Sequence, residues 1–318
     1  MKLVSMISEG RRRAGMVIEN EVLDVTDFAE ILEEKGEWIE AGAPPEFHHL
    51  EGLYQDVIDV FHCGNQCRLS IHSRLARDPF LADECREREA LVPIETVTLA
   101  SPVAAPSKIL AVGLNYREHA EETKSELPES PLIFSKCTTA LTGPGDPIKL
   151  PRVSDKIDYE GELAVIIGME AKSVKAANAF DYVAGYTIMN DVTARDIQRR
   201  ERQWVRAKGL DTFAPCGPWM VTASEVGDPH NLSLELRLNG EVRQRSNTSN
   251  LIFKIPELIE FASQDLTLRP GDIISTGTPP GVGFAREPAT FLKPGDRIDI
   301  TIERIGTLSN IVVGPDGE

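Results

Sequence analysis

Leucines at 232, 234, 236 and 238 alternate with Ser233, Glu235 and Arg237 and run into Asn239-Gly240. A period of two that ends on Asn-Gly is the pattern of two strands joined by a tight hairpin turn. The same texture runs through the C-terminal two thirds of the chain. Strands are predicted at KILAVG, LIFSK, ELAVIIG, VAGYTIMND, PWMVTA, DIISTG and RIDITIE, and helices only as short interruptions near 115–124, 193–206 and 256–264. Strands that do not alternate regularly with helices disfavour a doubly wound parallel sheet and predict a mixed, β-dominated α+β fold. The N-terminal third differs. Residues 1 to about 27 alternate as short strands (MKLVSMI, AGMVIENEVLDVTD), and residues 28 to about 95 carry helical periods, as in AEILEEKGEWIEAG and LEGLYQDVIDVF. The stretch TLASPVAAPSK, with prolines among small residues, reads as a linker. The expected organisation is a small N-terminal domain over 1–100 and a larger domain over 105–318.

Composition narrows the partners. The 318 residues are 41% hydrophobic, enough for a real core, and carry a net charge of −16 at pH 7. That charge opposes contact with nucleic acid or an anionic membrane. Five cysteines, odd in number and unevenly spread, together with an N-terminus lacking an apolar core, predict a reducing, cytoplasmic setting. No apolar run reaches the eighteen or so residues of a membrane span. A small anionic substrate would be repelled by the overall field, so a metal, a lysine or backbone amides must supply local positive charge.

Candidate chemistry begins at DYEGELAVIIG, where Glu160 and Glu162 stand at the head of a strand. Acids at i and i+2 point to one face. Such a pair is also what a solvated strand end carries, and Asp191, which follows VAGYTIMN and opens a helix, reads alone as a cap or a ligand. Together the three form an all-oxygen site for a hard divalent cation, Mg²⁺ or Mn²⁺ rather than zinc. His119 and Glu122, three apart in GLNYREHAEE, would share a helix face as a base and its orienting carboxylate, or belong to an exposed acidic helix. The polarity of that segment also makes it a candidate lid. Lys208, among apolar and small residues, could face an enolate or a carboxylate, or be a surface lysine. The loop TGTPPGVG could present Thr278 and backbone amides to a carboxylate; it lacks the Gly-Lys-Ser/Thr of a phosphate loop. His62, Cys63 and Cys67 read as core residues rather than a metal site, and His48-His49 and Arg11-Arg12-Arg13 as surface features.

Taken in order, GLNYREHAEE, DYEGELAVIIG, GYTIMNDVTARDIQ, AKGLDTFAPCGPW, NGEVRQ and GDIISTGTPPGVG resemble the fumarylacetoacetate hydrolase family over roughly residues 105–315. The nearest group joins one catalytic domain to a smaller N-terminal domain and includes acylpyruvate hydrolases, oxaloacetate decarboxylases and the isomerases and decarboxylases of homoprotocatechuate breakdown. The resemblance implies a β-dominated catalytic barrel or roll, usually a homodimer. It implies that Glu160, Glu162 and Asp191 hold magnesium or manganese, that His119 and Glu122 form a dyad on a lid helix, and that Lys208, Gln198 and Thr278 contact substrate. One departure is Gly209, where relatives commonly carry serine. The implied activity is cleavage of a carbon-carbon bond in a small anionic 2,4-dioxo acid, as in acylpyruvate or fumarylpyruvate hydrolases. Oxaloacetate decarboxylation or 2-hydroxyhepta-2,4-diene-1,7-dioate isomerisation and decarboxylation stand as alternatives. A non-catalytic metabolite-binding protein is the alternative from another class.

Overall fold

Alternation along the N-terminal stretch becomes antiparallel pairing. A computed structural model describes residues 1–35, 56–62 and 64–317 and separates into two units, Met1–Ala104 and Ala105–Glu318. In the first, Lys2–Ser8 lies between Arg11–Ile18 and Thr98–Ala100, and Arg11–Ile18 is followed outward by Glu21–Asp24 and then Leu91–Pro93. Two of these strands depart from expectation. Leu91–Pro93 falls in the helical region, and Thr98–Ala100 opens the supposed linker, because an edge of the sheet was available to each. Beyond it Pro102 O accepts from Ser5 Oγ at 2.6 Å, and Ser101 O accepts from Arg12.

The helix Val25–Glu34 starts where Asp24 accepts hydrogen bonds from the amides of Thr26 and Asp27, and it buries Phe28, Ile31 and Leu32 on one face. Helices Val57–His62, Gly64–Arg77 and Pro79–Glu87 follow. His62 is exposed, not a core residue: it is the last residue of its helix, beyond the buried Val57, Ile58 and Val60. Cys63, the side chain of Cys67, and His48-His49 lie outside the described residues. Of the arginine run only Arg11 is exposed, while Arg13 pairs with Asp27 at 2.9 Å.

The second unit is built mainly from two large sheets, with a separate short antiparallel pair, Ile157–Asp158 and Thr193–Ala194. One runs Ala214–Thr222, Val183–Asn190, Gly161–Ile167, Ile273–Ser275, Ile109–Gly113 and Leu132–Lys136, with Leu141–Thr142 parallel to the first of these. The other runs Glu241–Asn247, Ser233–Leu238, Arg297–Ile302, Gly306–Val313 and Ile148–Lys149. The Asn239-Gly240 turn has φ of 54° and 80°, the left-handed pair that a type I′ hairpin requires. Leu234, Leu236 and Leu238 face inward with Ile298, Ile300 and Ile302. The sheets meet closely at Gly161, where a Cβ would stand 3.2 Å from Ile300 Cγ2 and 3.3 Å from Leu236 Cδ1. Gly161–Ile167 is buried along its whole length, which is why its sequence is continuously apolar after Glu162. The helix expected over 193–206 is two, Arg195–Glu201 and Val205–Lys208, separated at Arg202 with φ 55°. The fold is therefore mixed and β-dominated. No helix among the described residues is long and apolar enough to cross a membrane.

Burial, reinforced by Asp27, pushes the Asp24 carboxyl from 3.8 up to about 6. An acid raised in this way binds its proton more tightly folded than unfolded. Its stabilising contribution is complete below about pH 3.8 and is lost as pH rises through about 6, on the order of 3 kcal/mol by neutral pH. Asp24→Asn keeps a capping oxygen without the charge. It is expected to raise the urea midpoint of the N-terminal unit at pH 7 and leave it nearly unchanged at pH 4; equal shifts at both pH values would refute the account.

Candidate active site

Pairing register assembles the acids. Gly161 stands opposite Asn190 and Glu162 opposite Met189 in the antiparallel ladder, and one step further the Asp191 amide donates to Glu160 O at 2.8 Å. Glu160 and Asp191 therefore face each other across two strands, with Glu162 two residues along on the same face. All three are buried, and each offers a carboxylate oxygen within 4.8 Å of the others. Glu162 is fixed by Ser275 Oγ at 2.6 Å and the Gly277 amide at 2.9 Å. Gly277 has φ 103°, and a Cβ there would lie 2.7 Å from Asn115 Cβ, so the amide reaches Glu162 only because the residue is glycine.

Three cations surround these acids. Lys208 Nζ bridges Glu160 Oε2 and Asp191 Oδ2, each at 2.6 Å, and lies 4.9 Å from the centre of the Phe134 ring. Lys136, the last residue of its strand, donates to Asp191 Oδ1 at 2.5 Å. Arg195 spans Glu160 Oε1 at 2.5 Å and Asp158 Oδ2 at 2.9 Å. Asp158 is in turn held by the amides of Gly283 and Phe284.

The charges separate the acids. Burial pushes Glu160 up, but Arg195 and Lys208 outweigh it and hold the carboxyl well below the usual range. Burial, Asp191 and Glu160 together drive Glu162 well above it. Burial lowers Lys208, yet Asp191 and Glu160 carry it above the ordinary lysine value, whereas Lys136 is held below it by its complete burial.

The acids open into a cavity of about 290 Å³. His119 lines it and is 6% exposed, so the helix Arg117–Glu122 is not the wholly exposed acidic helix that its composition allows. Its Nδ1 lies 3.3 Å from Glu122 Oε2, and Glu122 also accepts from the Gly281 amide at 2.9 Å. A carboxylate on Nδ1 fixes the tautomer that leaves Nε2 free to accept a proton. Gln198 lines the cavity with its oxygen accepting from Arg195 Nη1 at 3.1 Å, which leaves its N–H donors. Thr278 also lines it, but its hydroxyl donates to Gly161 O and accepts from Gln244, so its remaining capacity is as an acceptor.

A divalent cation is tested by charge and donor type. At about 4.8 Å and an effective dielectric near 20, each pair of carboxylates repels by roughly 3 kcal/mol. With all four carboxyls ionised, the form a bound cation would favour for Glu162 against its burial, Asp158, Glu160, Glu162 and Asp191 face Arg195, Lys136 and Lys208 with one negative charge in excess. A doubly charged ion turns that into one positive charge, the sign an oxo-acid anion needs. The donors are all oxygen, as a hard cation prefers. The residues fit such an ion.

The family described as fumarylacetoacetate (FAA) hydrolase C-terminal matches residues 108–313. The chain belongs to the fumarylacetoacetate hydrolase family. The mitochondrial oxaloacetate tautomerase Fahd2a of Rattus norvegicus is 48% identical over 70% of this chain and 72% of its own. The oxaloacetate tautomerase YisK of Bacillus subtilis is 50% identical over 68% of this chain and 73% of its own. Among solved structures, the maleylpyruvate hydrolase of Sphingobium sp. SYK-6 in complex with manganese(II) and pyruvate shares 33% identity at a TM-score of 0.68, covering 99% of each chain. As a family member the chain is an enzyme. The manganese in that relative and the acid cluster here both point to a divalent metal.

Sequence reading brought together Glu160, Glu162, Asp191, Lys208, His119, Glu122, Gln198 and Thr278, and the structure places all eight at or beside one cavity. It missed Asp158, Lys136 and Arg195. Asp158 extends the i, i+2 acid spacing and was readable; Lys136 lies 55 residues from Asp191 and carries no local signal. The departure at Gly209 has a steric cause. A Cβ there would stand 2.6 Å from Val205 O and 2.7 Å from Cys137 Sγ. Gly209→Ser is expected to lower the melting temperature by on the order of 5 °C in calorimetry, the scale of overpacking a close contact. An unchanged melting temperature would show that the loop yields freely.

Proposed function

We propose that the protein catalyses metal-dependent enolisation of a small 2-oxo acid, with interconversion of the keto and enol forms of oxaloacetate as its reaction. The observation that carries this reading is the buried trio Glu160, Glu162 and Asp191 opening onto the same cavity as Lys208 and His119. Relatives at about half identity are named oxaloacetate tautomerases, which supports the choice of substrate.

Glu160, Glu162 and Asp191 would hold the cation, whose chemistry is to bind the substrate's carboxylate and 2-oxo oxygen and polarise the ketone. His119, through Nε2, takes the proton from the carbon next to the ketone, and Glu122 steadies the resulting imidazolium. Lys208, an ammonium fixed between two carboxylates, stabilises the negative charge that grows on the enolate oxygen. His119 then returns the proton to oxygen. Phe134 and Trp204 line the cavity and limit water around the reacting carbon.

A second reading is favoured by the same dyad. If the substrate carries a carbonyl two carbons beyond the 2-oxo group, His119 could deprotonate a water that attacks it, giving carbon-carbon cleavage to pyruvate. The maleylpyruvate hydrolase relative supports it. The enol absorbance of oxaloacetate and pyruvate release from acetylpyruvate, followed in parallel with added manganese, separate the two.

His119→Gln is expected to slow enol-to-keto conversion of oxaloacetate by about 10²- to 10⁴-fold, the usual range for losing a general base, and to slow deuterium uptake at the same carbon in parallel. Full activity in this variant would remove His119 as the base. Glu160→Gln and Asp191→Asn are expected to abolish both turnover and manganese binding in titration calorimetry. Unchanged manganese affinity would refute the ligand set.

A further inference from the structure

Three cations line the cavity, and two of them are committed. Arg195 is bonded to Asp158 and Glu160, and Lys208 to Glu160 and Asp191. The third, Arg199, has no carboxylate partner among the described residues. It is exposed, lines the same cavity, and lies with its guanidinium carbon 5.3 Å from the centre of the Phe284 ring. Arg195 lies over the same ring at 4.4 Å. The two arginines are four residues apart on the helix Arg195–Glu201, hence on one face and about 6 Å apart along its axis. Arg199 therefore stands one turn further from the acid cluster than Arg195, steadied by an aromatic face yet with its hydrogen-bond fork uncommitted.

We infer that Arg199 binds a second, terminal carboxylate of the substrate and so selects 2-oxo diacids over 2-oxo acids that end in a methyl group. This rests on the oxo-acid reading above. A guanidinium pairs with a carboxylate through two parallel hydrogen bonds, which a methyl group cannot accept. The need is set by charge. The chain carries −16 overall, so a dianion meets more repulsion than a monoanion and gains from a local partner that the acid cluster has not already neutralised. Phe284 supplies the second constraint, because a guanidinium stacked on a ring loses less freedom when it engages a ligand.

The test compares 2-oxoglutarate with 2-oxovalerate, which share a five-carbon chain and differ in a terminal carboxylate against a methyl group. Their affinities for the manganese-loaded full-length protein are measured by calorimetry. The wild type is expected to favour the diacid at least tenfold. In Arg199→Gln that preference should fall by about 10- to 100-fold, the value of a charge-assisted pair. Arg199→Lys, which keeps the charge but not the fork, should restore part of it. Arg200→Gln, altering an exposed arginine paired with Glu201 on the same helix, should leave the preference at the wild-type value. Equal affinities in the wild type, or an unchanged preference in Arg199→Gln, would overturn the inference while leaving turnover of oxaloacetate intact. Loss of manganese binding and of all oxaloacetate turnover in the wild type would instead overturn the enolisation reading.

Discussion

Everything at this site depends on confining like charges. Backbone pairing places Glu160 opposite Asp191, and the pleat brings Glu162 to the same face, so three buried carboxylates converge on one cavity. A slip of one residue between these strands would turn the acids toward the other face and break the arrangement outright. The register is secured by apolar packing along Leu163–Ile167 and by Gly161, which lets the second sheet approach to van der Waals contact. Chemistry and core packing are thus two consequences of one alignment.

The compensating cations arrive from separate elements: Lys136 from an edge strand, Arg195 from the helix after Asp191, and Lys208 from a one-turn helix beyond the break at Arg202. Each ties its element to the acids. Removing one partner would leave an uncompensated buried charge, which costs several kcal/mol, so these loops are held in place more firmly than their lengths suggest.

What could be read from the sequence was local. Glu160 and Glu162 announce their shared face through spacing alone, the Leu232–Leu238 alternation announces its hairpin, and the order of motifs announces the family. What escaped was set by contacts distant in sequence. Lys136 is an unremarkable lysine at a strand end until Asp191 folds against it, and three-residue strands such as Leu91–Pro93 and Thr98–Ala100 are too short to show a period. Thr278 illustrates a subtler limit. Its place beside the cavity follows from the loop, but the donor it gives to Gly161 depends on where Gln244 lies, 34 residues away.

Glu122 links the proposed base to the loop opposite. One carboxylate holds His119 Nδ1 and accepts the Gly281 amide, and Gly281 has φ 106°, with no room for a Cβ, which would fall 2.0 Å from Arg243 O. The loop therefore has little freedom to follow if the short helix moves away. Its departure would break the Glu122–Gly281 bond and release the carboxylate that orients the imidazole. On this geometry the docked position of the helix and the orientation of the histidine are held together through a single side chain.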